Sequence, residues 1–233
     1  MSVTPDPASV VLAAVGAYNA IQNLVVPERW YVPANMVVTA GLVAYARRSG
    51  VSYTELGLSR GDLGRGLRMG AGMVASTALA TTLAAASPRF SQVLLDGRAR
   101  GHNRADVATQ LLLRFPLGTA LYEEVAFRGV LKALWTRRSG ERTARTVTAA
   151  AFGAWHILPT ARLYPDMAGG RSESPVGERA AATVAGVAIT TVAGLLFDRL
   201  RARSGSLVAP WLAHLGFSAV SYVAARRAWL RVG

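Results

Sequence analysis

Long apolar blocks alternate with short arginine-rich stretches along the chain. The blocks run at roughly 8–26, 31–46, 68–87, 107–135, 144–163, 180–198 and 206–225, each of the order of the about 20 apolar residues that carry a helix across hydrocarbon. Several are rich in Ala and Gly, as in "MGAGMVASTALATTLAAAS" (69–87), and small residues let helices approach closely in lipid. The pattern predicts an all-α fold: a polytopic membrane bundle of about seven or eight transmembrane helices, in a single integral-membrane domain over residues 1–233.

The block 107–135 departs from the others, because Arg114, Pro116 and Gly118 interrupt it. Pro116 is expected to kink the helix or to mark its start. Asn19, Gln22 and Asn23 close the first block and are expected to face protein rather than lipid. The stretch 47–68 is expected to hold a short surface helix, and Gly and Pro punctuate 164–179 as a flexible loop. Neither an internal repeat nor a low-complexity linker divides the chain. The basic stretches 47–68 and 136–145 fall on the same side as the N-terminus, which predicts a cytoplasmic N-terminus.

Charge sharpens this picture. The chain carries a net charge of +13, and arginines crowd the block ends, as in Arg47-Arg48, Arg137-Arg138 and Arg226-Arg227. Charge in such places suits membrane lipids and their headgroups. Aromatic residues are not interleaved with the basic clusters, so no nucleic acid is expected as a partner. There are no cysteines, which excludes disulfides, thiolate metal sites and a cysteine nucleophile. The N-terminus lacks the basic region of a secretory signal, so the first block is expected to be retained. Short loops and the lack of sorting signals suggest a multi-pass protein of a bacterial inner membrane.

Within the blocks the ionisable residues are Arg114, Glu123, Glu124, Arg128, His156 and His214, with Asp198 at a block end. A charge at the bilayer centre costs at least about 2.5–3.5 kcal/mol, and such residues persist mainly where they face the bundle interior. Glu124 and Arg128 are four apart with the acid first, the favourable helical pairing, and read as an internal ion pair. Glu123 lies about 100° around an α-helix from Glu124 and has Phe127, not a base, at i+4. It is either a buried structural glutamate or a proton-accepting base. His156 and His214 stand on two further blocks, whereas His102 lies in a polar stretch and is expected to be solvated.

One glutamate and two histidines serve two chemistries. The glutamate and a histidine can deprotonate a water aimed at a carbonyl while the second histidine stabilises the oxyanion. Alternatively Glu123, His156 and His214 can ligate a divalent metal such as zinc, with one position open. Neither HExxH nor GxSxG occurs. Two non-hydrolytic readings use the same residues: a membrane scaffold and a proton-coupled transporter, the latter weakened by the absence of repeats.

"EEVAFRG" (123–129) resembles the EExxxR motif of the CPBP (CAAX protease and bacteriocin-processing, Abi) family of intramembrane proteases. "FGAWH" (152–156) is similar to that family's FxxxH motif, and "HLGFS" (214–218) stands where its third motif, His followed by Asn or Asp, is expected. The resemblance covers about residues 107–225. It implies an endopeptidase acting on membrane-associated or lipid-modified peptides. It implies Glu123 as general base with His156, and His214 and Ser218 as oxyanion donors. Glu124 and Arg128 would support the site and Phe152 would pack beside it. The family is described both as metalloproteases and as metal-free glutamate proteases. Ser218 departs from the expected Asn or Asp, which leaves open a catalytically weak or inactive scaffold or immunity protein.

Overall fold

The structure, a computed structural model, describes residues 5–86, 101–167 and 176–232. Among these residues every regular element is helical. Helix α1 (Pro7–Leu24) opens on Asp6, whose carboxylate accepts from the Ser9 amide at 2.9 Å, with Pro7 in the first turn, where its missing N–H costs nothing. A single turn at Glu28–Trp30 leads into α2 (Tyr31–Arg48). The expected surface helix is α3 (Tyr53–Leu56), fixed by a capping box between Ser52 and Glu55 and ended by Gly57 at φ +78°. Helix α4 (Leu63–Ala85) follows.

Helix α5 starts at Arg104, where the Asn103 side chain accepts from the Ala105 and Asp106 amides. Pro116 therefore neither starts nor ends it. From Gln110 to Leu121 and from Glu124 to Leu131 the chain winds in wide i→i+5 turns, a form associated with functional sites. Proline has no N–H for an α-turn, and neighbouring helices satisfy carbonyls in this stretch. Trp211 Nε1 donates to Pro116 O at 3.0 Å, and Asn35 Nδ2 donates to Gly118 O. Arg114 stays at the margin, paired with Glu28 and lying 4.8 Å over the Tyr31 ring.

Helix α6 (Lys132–Trp155) breaks at Gly140 (φ 81°, ψ 168°). Contacts of Lys132 with Glu141, Phe127 with Phe152 and Glu123 with Trp155 follow one another, so α5 and the second half of α6 form an antiparallel hairpin. Helices α7 (Ile157–Met167), α8 (Val176–Ser204) and α9 (Val208–Val232) complete the described chain. Of the expected flexible loop 164–179, residues 164–167 end α7 and 176–179 open α8; the remainder lie outside the described residues.

Close packing follows the small residues. A Cβ on Gly66 or Gly70 of α4 would stand 2.8 Å from Ser206 and 2.7 Å from Leu212, so α9 and α4 touch almost backbone to backbone. Gly153 admits Thr191 of α8 in the same way. The largest buried cluster, including Leu56, Tyr122, Phe127, Leu131, Phe152 and Trp155, lies around the α5–α6 hairpin.

Two helical segments, Val176–Ser204 and Val208–Leu230, are long and apolar enough to cross a membrane. In the first, Val184, Ile189 and Val192 are 64–69% exposed, an apolar surface that suits lipid better than water.

Candidate active site

The site is built on α5, at the α-helical junction between its two wide stretches. Tyr122 and Glu123 keep α-helical φ/ψ there, so Glu123 and Glu124 project about 100° apart and approach a common neighbour from two sides. Both carboxylates then meet one imidazole. His214 of α9 places Nδ1 2.9 Å from Glu124 Oε1 and Nε2 3.8 Å from Glu123 Oε2.

Glu124 and Arg128 form the expected pair at 3.1 Å, with side chains only 1% and 2% exposed. The guanidinium also lies 3.9 Å over the Phe152 ring, so Phe152 caps the ion pair. Phe152 packs beside both histidines, with ring centres 4.7 Å from His156 and 6.2 Å from His214.

Glu123 is held at one oxygen only. Trp155 Nε1 donates to Oε1 at 3.1 Å, while Oε2 is buried and has no hydrogen-bond partner among the described residues. His156 ends α6 and turns its Nδ1 to the Phe152 carbonyl at 2.8 Å. A carbonyl only accepts, so Nδ1 carries the proton and the neutral ring offers Nε2 as an acceptor. That Nε2 stands 3.9 Å from Glu123 Oε2. The free oxygen of Glu123 thus faces two imidazole nitrogens, each too far for a direct hydrogen bond and near enough for one bridging water. His156 is half-buried and forms the open edge of the site.

A carboxylate and two imidazoles whose Nδ1 atoms are already engaged are the right donor types for zinc. Bonds of about 2.0–2.1 Å in a tetrahedron put donors about 3.4 Å apart, and Glu123 Oε2 stands 3.9 and 3.8 Å from the two Nε2 atoms, so the side chains would have to draw together by about 0.5 Å to share an ion. No group of three His, Cys, Asp or Glu among the described residues is arranged to hold an ion.

Ser218 lies one turn beyond His214 on α9, half-buried, and makes no hydrogen bond among the described residues. The structure brings Glu123, Glu124, Arg128, Phe152, His156 and His214 into one cluster; it shows no contact joining Ser218 to them. His102, expected to be solvated, is half-buried with Nδ1 2.6 Å from the Tyr222 hydroxyl.

Sequence reasoning missed Trp155, and it missed Phe197, which stacks on His214 at 5.3 Å and 23°. An indole N–H next to His156 in an apolar block is a donor in need of an acceptor, and that was the available signal. Asn19 and Gln22 are buried in the protein as expected, and Asn19 Nδ2 donates to Trp155 O at 2.7 Å; Asn23 is half-buried and donates to Asn19 O of its own helix at 2.9 Å.

Residues 106–220 match the family model described as "Type II CAAX prenyl endopeptidase Rce1-like". No curated protein and no solved structure matches the chain significantly. The matched span runs from the first turn of α5 into α9 and includes every residue of the cluster. Over residues 106–220, just under half of the chain, the sequence is similar to the Rce1-like family of type II CAAX prenyl endopeptidases.

Proposed function

We propose that the chain is an intramembrane endopeptidase, a single polytopic domain of seven or eight crossings, that hydrolyses a peptide bond in a lipid-modified or membrane-associated peptide. One observation carries this reading: the unpartnered Oε2 of Glu123 faces Nε2 of both His156 and His214 across a gap fit for one water.

In this mechanism a water sits in that gap and gives hydrogen bonds to Glu123 Oε2 and His156 Nε2. As its oxygen attacks the scissile carbonyl carbon, one proton passes to Glu123. The carbonyl oxygen becomes an oxyanion. Glu124 can only accept from His214 Nδ1, so His214 donates to the oxyanion from Nε2 when the ring carries both protons, a form whose charge Glu124 balances. When the tetrahedral intermediate collapses, the C–N bond breaks and the proton on Glu123 passes to the leaving amine. Arg128 and Phe152 keep Glu124 in place.

The test is cleavage of a farnesylated peptide with a C-terminal CAAX sequence by the protein reconstituted in nanodiscs. Glu123→Gln and His156→Ala are each expected to lower the rate by 10²-fold or more, the scale of losing one well-placed transition-state group. Folded variants that cleave as well as the parent would overturn the proposal. Activity abolished by a chelator and restored by zinc would assign the water to a metal.

The scaffold reading draws on one observation, the lack of a hydrogen bond at Ser218 among the described residues. An oxyanion site short of one donor is slow by about 10²–10³. Ser218→Asn would then raise the rate by tenfold or more, while a scaffold would remain inert with either residue.

A further inference from the structure

The segment between α2 and α4 is fastened to the bundle from its inner side. Arg137 holds the Glu55 carboxylate at 2.7 and 2.9 Å. Arg201 Nη2 donates to the carbonyls of Thr54 and Glu55 at 3.3 and 2.9 Å, and the Leu207 amide donates to Gly57 O at 2.9 Å. Leu56 is buried at 1% exposure in the main core. The segment is a built surface rather than a free loop.

Its outer side combines two kinds of group that water and hydrocarbon do not both accept. Tyr53, Leu58, Leu63 and Leu67 are 55%, 39%, 41% and 53% exposed. Arg48, Arg60 and Arg68 are exposed and make no ion pair among the described residues. Arg65 has only a 3.8 Å contact with Asp62. Water disfavours the apolar side chains, and acyl chains disfavour the guanidinium groups. The headgroup layer takes both: apolar tips reach the acyl boundary while arginines meet phosphate oxygens. The surplus of unpaired guanidinium over carboxylate selects negatively charged headgroups, which guanidinium binds in a bidentate manner.

We propose that residues 48–68 form an interfacial platform that binds the anionic phospholipid headgroups of the leaflet on the N-terminal side. The platform rests on the membrane placement above but not on proteolysis. It lies against the catalytic helix: a Cβ on Gly129 of α5 would meet Leu56 O at 3.4 Å.

The chain has no cysteine, so single-cysteine variants take a nitroxide without background. Labels at Leu63→Cys and Leu67→Cys are compared with one at Ser139→Cys, on the exposed turn before Gly140. The full chain is placed in nanodiscs of phosphatidylcholine alone or with phosphatidylglycerol. Labels at 63 and 67 are expected to be shielded from a water-soluble relaxation agent relative to 139, and more so with phosphatidylglycerol. In Arg60→Gln/Arg65→Gln/Arg68→Gln the phosphatidylglycerol-dependent part is lost, and apparent affinity for that lipid falls roughly fivefold per arginine removed. Labels at 63 and 67 as open to the agent as 139 in both lipids would overturn the platform and leave the protease reading standing. Shielding that ignores both lipid charge and the arginine changes, or that needs an added acidic peptide, would also overturn it. A chain that does not enter nanodiscs takes down the membrane placement and the platform together.

Discussion

At the scale of single residues, the site depends on an asymmetry between the two oxygens of one carboxylate. Trp155 occupies Oε1 of Glu123 and leaves Oε2 to the two histidines. Trp155→Phe keeps the aromatic packing on Tyr122 and Phe127 but removes the N–H. It frees the carboxylate to rotate, and kcat is expected to fall by about tenfold, the value of one hydrogen bond to a charged group of about 1.5 kcal/mol, with KM little changed. A steady-state comparison on the reconstituted protein checks this, and a raised KM with kcat unchanged would argue for a binding role instead. Glu123, Glu124 and Arg128 were legible in the sequence because charge is conspicuous in an apolar block. Trp155 was not, since an indole in the same block reads as one more apolar residue. The meeting of both glutamates with His214 was hidden too, because it depends on where α9 packs, which no local spacing conveys.

Among the elements, three contacts set how far the helices can adjust. Gly153 lies between α6 and α8, where a Cβ would sit 2.0 Å from Thr191 Oγ1 and 3.0 Å from Val187 O. Gly153→Ala is expected to cost about 1–3 kcal/mol through overpacking and to push Trp155 and His156 away from Glu123, seen as a lower unfolding temperature together with lower activity. The buried Glu124–Arg128 pair behaves differently. Arg128→Met leaves the buried Glu124 carboxylate with His214 as its remaining partner and is expected to destabilise by about 3–5 kcal/mol, whereas Glu124→Met with Arg128→Met costs less because it removes both charges of the pair and leaves only the His214 Nδ1 without its acceptor; thermal unfolding in detergent distinguishes the two. At the platform, hydrogen bonds from Arg137 and from Ser52 hold the Glu55 carboxyl down at about 2, against an ordinary 4.5. A lowered folded-state value gives stability that is full above about 4.5 and is lost as pH falls through about 2. Amide protection in residues 52–57, measured relative to each amide's intrinsic exchange rate at the same pH, is therefore expected to fall between pH 4.5 and 2 in the parent, and to be low and unchanged across that interval in Glu55→Gln. A short surface helix was expected within 47–68, but the Ser52–Glu55 capping box that fixes its start was read only in the structure. The path through Pro116 was not legible, since it depends on Trp211 and Asn35 from other helices.

For the whole molecule, apolar blocks located most of the helices, because apolar length is a property of composition; the block 144–163 did not, since it runs across the end of α6 and the start of α7 at His156. The order of the three motifs was legible through the family resemblance. What spacing did not convey is how tightly α4 and α9 pair along Gly66 and Gly70, a contact formed across more than a hundred residues of chain. The break at Gly140 gives the cluster an uneven history. Glu123 and Trp155 are 32 residues apart and are brought together by a local hairpin, whereas His214 reaches Glu124 across 90 residues. During synthesis Glu123 and its indole clamp can therefore come together as soon as the second leg emerges, with little entropy spent on closing the loop. The second imidazole arrives only with α9. Until then the nascent chain holds a clamped glutamate whose free oxygen faces a single histidine, so a chain cut short before α9 would carry one half of the cluster already assembled.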